Sequence, residues 1–146
     1  MSKITLMCGL PRSGKSTWIK NNKTNEVVVS ADDIRYLVYN QQFWGDGEPL
    51  MWSIRGMMLK YLMQQGVDII IDETNTMSER RQPIIKMAKK YGYYIIGNTI
   101  EGIWVDTCIA RAKEINQDYL IPVIERMAAQ FELPKIDEGF DELNMI

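Results

Sequence analysis

The chain has 146 residues, 46% of them hydrophobic, the size and apolar content of one compact domain over residues 1–146. It has no apolar run near the ~18–20 residues that cross a bilayer and no charged-then-apolar leader, so a cytoplasmic protein without membrane contact is expected. A formal charge of −2 gives no overall attraction to a polyanion, and the absence of histidine leaves carboxylates and lysines as the candidate bases.

In chain order, short β-rich runs alternate with amphipathic stretches. This is the pattern of βα units around a mostly parallel sheet of four to five strands, covered on both faces. Residues 3–8 read as a strand and 15–21 as a helix, followed by a strand at 27–30 and a helix at 32–39. The connector 41–48 carries two glycines with Phe43 and Trp44, and reads as a substrate flap or as a loop anchored by its aromatics. A helix over 49–65 aligns Met51, Ile54, Met58 and Leu62 as an adaptable core stripe. A strand at 67–71 precedes a helix capped by Ser78, with Arg81, Ile84, Ile85 and Ala88 inward and Gly92 at its end. Pro83 fits that helix only near its first turn. A strand at 93–100, a helix at 105–113, a loop at 114–121 and a helix at 122–131 burying Ile124, Met127, Ala128 and Phe131 complete the pass. Cys8 and Cys108 fall in apolar segments without metal or redox spacing and read as core residues of a reducing compartment.

The sharpest motif is Gly9-Leu10-Pro11-Arg12-Ser13-Gly14-Lys15-Ser16-Thr17, which fits GxxxxGK[ST] between an apolar strand and a helix. Its glycines let successive N–H groups face nucleotide phosphates at the positive end of a helix. Lys15 is expected to bridge phosphate oxygens, and the Ser16 hydroxyl to ligate Mg²⁺. The Asn-Lys-x-Asp guanine-reading sequence is missing, since residues 22–25 end in asparagine, so ATP is the expected nucleotide.

Asp32 and Arg35 stand three apart at the start of the second helix and suit an acceptor site. Asp32 is the candidate base, and Arg35 either holds an anionic part of the acceptor or orients Asp32. The alternative is that Asp32 or Ser30 only caps the helix. Asp72, Glu73, Thr74 and Asn75 follow the third strand at the sheet edge where ligands of open α/β sheets bind. One of the two acids is expected to organise the metal's water shell or to hold Arg35; the alternative is a polar loop start. Arg111, late in its helix, is the candidate lid cation over the phosphates.

With these residues assembled, the chain resembles the 5′-hydroxyl polynucleotide kinase domains of bacteriophages and the wider AAA-type P-loop kinases. The resemblance spans nearly the whole sequence and is carried by residues 9–18, 32–35 and 73–81, more weakly by Arg111 and 122–127. It implies a three-layer, adenylate-kinase-like P-loop fold, ATP and Mg²⁺ as cofactors, and a DNA or RNA 5′-hydroxyl end as partner. It also implies Asp32 as general base and Arg35 on the acceptor. The setting it implies is the cytoplasm, the host's for a phage-encoded member. Two departures stand out: the family has aspartate where this chain has Glu73, and a second lid arginine where it has Ile115, with Lys113 nearby as a substitute. By this resemblance residues 1–146 are expected to be the kinase half alone, without the phosphatase domain that follows it in the best-known members.

Three functions follow from the sequence. The first is transfer of the ATP γ-phosphate to a polynucleotide 5′-hydroxyl, the second a small-molecule kinase acting on a nucleoside, nucleotide or other alcohol, and the third a non-catalytic ATP-binding module. A basic groove joining Arg35, Arg80, Arg81 and Lys86 would favour the first over the second.

Overall fold

The computed structural model describes residues 1–41, 43–102 and 104–146. Five parallel strands form one sheet in the order β2-β3-β1-β4-β5. They are β1 (Lys3–Cys8), β2 (Val27–Ser30), β3 (Ile69–Asp72), β4 (Tyr94–Thr99) and β5 (Glu142–Met145). The helices are α1 (Lys15–Asn22), α2 (Ala31–Tyr39), α3 (Glu48–Gln65), α4 (Ser78–Lys90), α5 (Val105–Glu114) and α6 (Ile121–Ala129). Parallel strands need crossovers, and these helices supply them.

The central strand explains the layering. Its side chains alternate between the two faces of the sheet. Ile4 and Leu6 enter a core with Val29, Ile69, Ile71 and Ile95 under α2, α3 and α4, while Met7 joins Ile70 and Ile19 of α1 on the other face. A smaller cluster of Leu10, Cys108, Ala112 and Ile124 fastens α5 and α6 beside the glycine-rich loop. In-register pairing of β1 with β3 and β4 (Ile4 opposite both Ile69 and Ile95) aligns the strand ends, so the loops after β1, β2 and β3 share one edge. No helix among the described residues is long and apolar enough to cross a membrane.

Several expectations shift by small amounts. β3 is displaced to end on Asp72, and β4 begins at Tyr94. Ser78 is the first residue of α4, not its cap: Met77 occupies the cap position without a side-chain bond. This start still places Pro83 within the second turn, and the inward face is Arg81, Ile84, Ile85 and Ala88 as the spacing implies. In α3 the stripe meets the core, but Leu59 and Met63 are buried more deeply than Ile54, Met58 and Leu62. The loop 114–121 contains a short 3₁₀ turn at Asp118–Leu120, and α6 starts at Ile121. The strand β5 has no counterpart in the sequence reading. In the connector 41–48, Gln42 lies outside the described residues, Gly45–Gly47 form a 3₁₀ turn, and Glu48 opens α3.

Candidate functional site

The glycine-rich loop is wound for anions. Arg12 (φ 67°) and Gly14 (φ 107°) both take left-handed backbone, alternating with ordinary residues in the manner that turns successive N–H groups to one side. At Gly14 a side chain would be strained. The first bond of α1 runs from Trp18 N–H to the Gly14 carbonyl, leaving the N–H groups of Lys15, Ser16 and Thr17 directed out of the helix end. Gly9 N–H donates to the Thr74 carbonyl (2.9 Å), tying the loop's start to the segment after β3.

Lys15 is buried and curled over this loop, its Nζ donating to the carbonyls of Leu10 (2.8 Å) and Gly9 (3.1 Å). Burial holds its pKa below the ordinary 10.5, and the Asp72 charge opposes that shift. The Ser13 hydroxyl is buried without a hydrogen-bond partner. A buried orphan hydroxyl, helix-end N–H groups and a lysine held by carbonyls it can exchange fit a phosphate chain. The Ser16 hydroxyl donates to Asp72 Oδ2 at 2.7 Å, a pair of hard oxygens suited to Mg²⁺. No group of three or more His, Cys, Asp or Glu that could hold a metal is assembled among the described residues, so an ion here would draw its remaining ligands from phosphate and water. Arg111 lies across the loop, its guanidinium donating to the Arg12 carbonyl at 3.0 Å, while Lys113 and Ile115 are exposed.

On the acceptor side, Ser30 caps α2 by accepting from Asp33 N–H, which leaves the Asp32 carboxylate uncommitted to the cap and 70% exposed. Asp32 accepts from Arg35 at 2.7 Å and adds to the field that opposes the lowering of the Lys15 pKa. The Tyr119 phenol pKa is pushed up, first by partial desolvation and then by the Asp32 charge.

The carboxylate that holds Arg35 is Glu48, not Asp72 or Glu73. Glu48 takes two bonds from the Arg35 Nε and a third from its terminal nitrogen at 2.7 Å, and it also accepts from the Tyr39 hydroxyl (2.6 Å). Glu73 is instead paired in bidentate fashion with Arg55 of α3 (2.8 and 2.9 Å). Burial pushes the Glu73 pKa up, and Arg55 opposes it. Both guanidiniums lie over the Trp52 ring, Arg35 at 5.7 Å and Arg55 at 5.3 Å from its centroid. Glu48, Trp52 and Arg55 fall at i, i+4 and i+7 on α3, a polar face absent from the sequence reading. Their helical spacing was the available signal.

Asn75 and Arg81 serve the frame. Asn75 is buried with φ 45°, and its amide donates to the Met7 carbonyl (2.9 Å), tying the segment after β3 to β1. Arg81 is fully buried, bonded twice to Glu138 and once each to the carbonyls of Asn75 and Glu132. A continuous basic groove through Arg35, Arg80, Arg81 and Lys86 is therefore not available, because its third member has no surface.

A parallel five-stranded sheet with this loop between β1 and α1 defines a P-loop NTPase fold. Residues 4–134 match the family model described as AAA domain, and the chain belongs to that family. It is similar in fold to a chain of the Pnkp1/Rnl/Hen1 RNA repair complex (TM-score 0.69, 18% identity, 90% of this chain but 46% of that one). It is also similar to the Mycobacterium tuberculosis APS kinase CysC in complex with AMPPNP and APS (0.62, 15%, 99% and 88%). A third similar structure is Chaetomium thermophilum Kti12 in complex with ADP-AlF3 (0.66, 16%, 98% and 88%). The chain thus spans less than half the length of the RNA repair protein it matches.

Proposed function

We propose that the protein transfers the γ-phosphate of ATP to the 5′-hydroxyl of a DNA or RNA end. The observation that carries this reading is Asp32: its carboxylate is released from helix capping by Ser30, oriented by Arg35, and follows the β2 end whose Ser30 pairs with Asp72, the acid that meets Ser16 of the loop. Asp32 takes the hydroxyl proton as the new oxygen–phosphorus bond forms and the bond to the β,γ-bridging oxygen breaks, leaving ADP. Lys15 exchanges its loop carbonyls for phosphate oxygens, and Arg111 closes over the transferred group from Arg12. Ser16 and Asp72 would hold Mg²⁺, which when bound neutralises phosphate charge. Arg35 orients Asp32 and, clamped by Glu48, presents a fixed guanidinium to the acceptor.

A small-molecule acceptor is the second reading, and the burial of Arg81 favours it by removing the extended basic track. The test is incubation with γ-labelled ATP and Mg²⁺ against 5′-hydroxyl oligonucleotides and a panel of nucleosides and nucleotides, with Asp32→Asn in parallel. Label on oligonucleotide ends, reduced about 10²–10⁴-fold in the variant while ATP binding persists, is the expected result. Label on small acceptors alone moves the assignment to the second reading, and an active Asp32→Asn removes Asp32 as the base.

A further inference from the structure

Large exposed aromatics crowd the acceptor side. Trp44 is 47% and Trp52 39% exposed, and both connect to Arg35. Trp52 lies under its guanidinium and that of Arg55, and the 39% of it left exposed is the surface a ligand can reach. Trp44 packs edge-to-face on Tyr39, centroids 5.5 Å apart at 80°, and the Tyr39 hydroxyl donates to the same Glu48 that holds Arg35. The seat is built: a Cβ on Gly47 would fall 2.6 Å from the Trp44 ring and 2.8 Å from Tyr39, so only glycine leaves room for it. An indole held this way binds a flat partner without the ordering cost of a free side chain.

The charges beside it argue for what that partner is. Of the arginines around Trp52, Arg35 is matched by Asp32 and Glu48 and Arg55 by Glu73, so neither is left free for a run of phosphates. Affinity for a nucleic-acid end must then come from its bases, which stack on aromatic rings whatever their sequence.

We propose that Trp44 and Trp52 form a stacking platform for the nucleobase of the acceptor's 5′-terminal nucleotide, so that the acceptor is gripped by its end and not along its backbone. This rests on the kinase reading above and names how that site selects its substrate. It also explains how a polynucleotide kinase works without the basic groove: the terminal nucleoside, common to long and short acceptors, carries the recognition.

The test is a double cycle on base and platform. A 5′-hydroxyl oligonucleotide and the same oligonucleotide with an abasic 5′-terminal nucleotide are phosphorylated by the wild type and by Trp44→Leu/Trp52→Leu. The abasic change should raise KM roughly 5- to 100-fold in the wild type and have no effect in the variant. Disrupted structure alone would raise KM for both acceptors equally and leave the gap open. The dependence of log KM on log salt should be shallow, about one unit per decade or less; a slope of about three or more would mean backbone grip and overturn the proposal. A wild type indifferent to the missing base, or a variant that still discriminates, also overturns it. Quenching of tryptophan fluorescence by the two oligonucleotides separates the two claims. Base-dependent quenching with no transfer to any acceptor sinks the kinase reading and keeps the platform, while transfer without base-dependent quenching does the reverse.

Discussion

Replacing Arg81 by methionine should weaken the fold severely, and the size of the loss follows from what the guanidinium touches. It has no exposed surface, and it donates to Glu138 at 2.7 and 2.8 Å, to the Asn75 carbonyl at 2.8 Å and to the Glu132 carbonyl at 2.9 Å. Methionine fills much of the volume but leaves the Glu138 carboxylate, 9% exposed, with the Lys135 N–H in place of its cation, and strips the Asn75 and Glu132 carbonyls of the guanidinium. Breaking a buried pair from one side costs about 3–5 kcal/mol, a large share of the roughly 5–15 kcal/mol that holds a domain together. A drop in Tm on the order of 10 °C is expected for a chain of this size. Urea unfolding followed by circular dichroism at pH 7 measures it. Arg81→Met/Glu138→Leu should recover most of the loss, because it removes the stranded charge as well. A loss below about 1 kcal/mol in the single variant, or a double variant no more stable than the single, would refute the reasoning.

Lys15→Met should abolish ATP binding by calorimetry while leaving Tm unchanged or higher, since it removes an ammonium whose pKa burial already lowers; a destabilised variant would contradict this. The Glu48 carboxyl is held below its ordinary 4.5, first by its bonds from Arg35 and then by the Tyr39 hydroxyl. Its folded pKa being lowered, this stabilisation is complete above pH 4.5 and lost as pH falls through the lowered value, so Glu48→Gln should flatten the acid side of the stability–pH curve. An unchanged acid limb would exclude Glu48 as its source. Burial pushes the Cys8 thiol up to about 12 and raises Cys108 as well, so neither should react with a thiol reagent at pH 8 until urea is added. Stoichiometric labelling of the native protein would show that one of them opens to solvent.

What could be read in the sequence was local. The loop 9–17 carries its mechanism in nine consecutive residues between strand and helix, and Asp32 and Arg35 meet within one helical turn. The inward face of α4 was equally legible, because Arg81 shares the spacing of Ile84, Ile85 and Ala88. What Arg81 does was not, since its partner Glu138 is 57 residues away and only the tertiary fold joins them. The Glu48–Trp52–Arg55 face lies off the Met51–Ile54–Met58–Leu62 stripe of α3, and its partners Arg35 and Glu73 come from other elements, so apolar periodicity does not reveal it. Strand β5, Glu-Leu-Asn-Met, lies half-buried at the sheet's edge, where alternation and hydrophobicity are both weak.

The acids after β3 show why the departure from the resembled family need not change the site. Asp72 is the last residue of β3, paired in register with Ser30 of β2. Two parallel strands therefore deliver, side by side, the cap that frees Asp32 and the acid that meets Ser16. Glu73 follows directly, at the bend where the chain leaves the strand. It turns to Arg55, and Arg55 shares the Trp52 ring with Arg35. One acid thus meets the glycine-rich loop's Ser16 and its neighbour the Arg55–Trp52 cluster. The side chains that answer them, Ser16 on one side and Arg55 on the other, are what hold each acid in place.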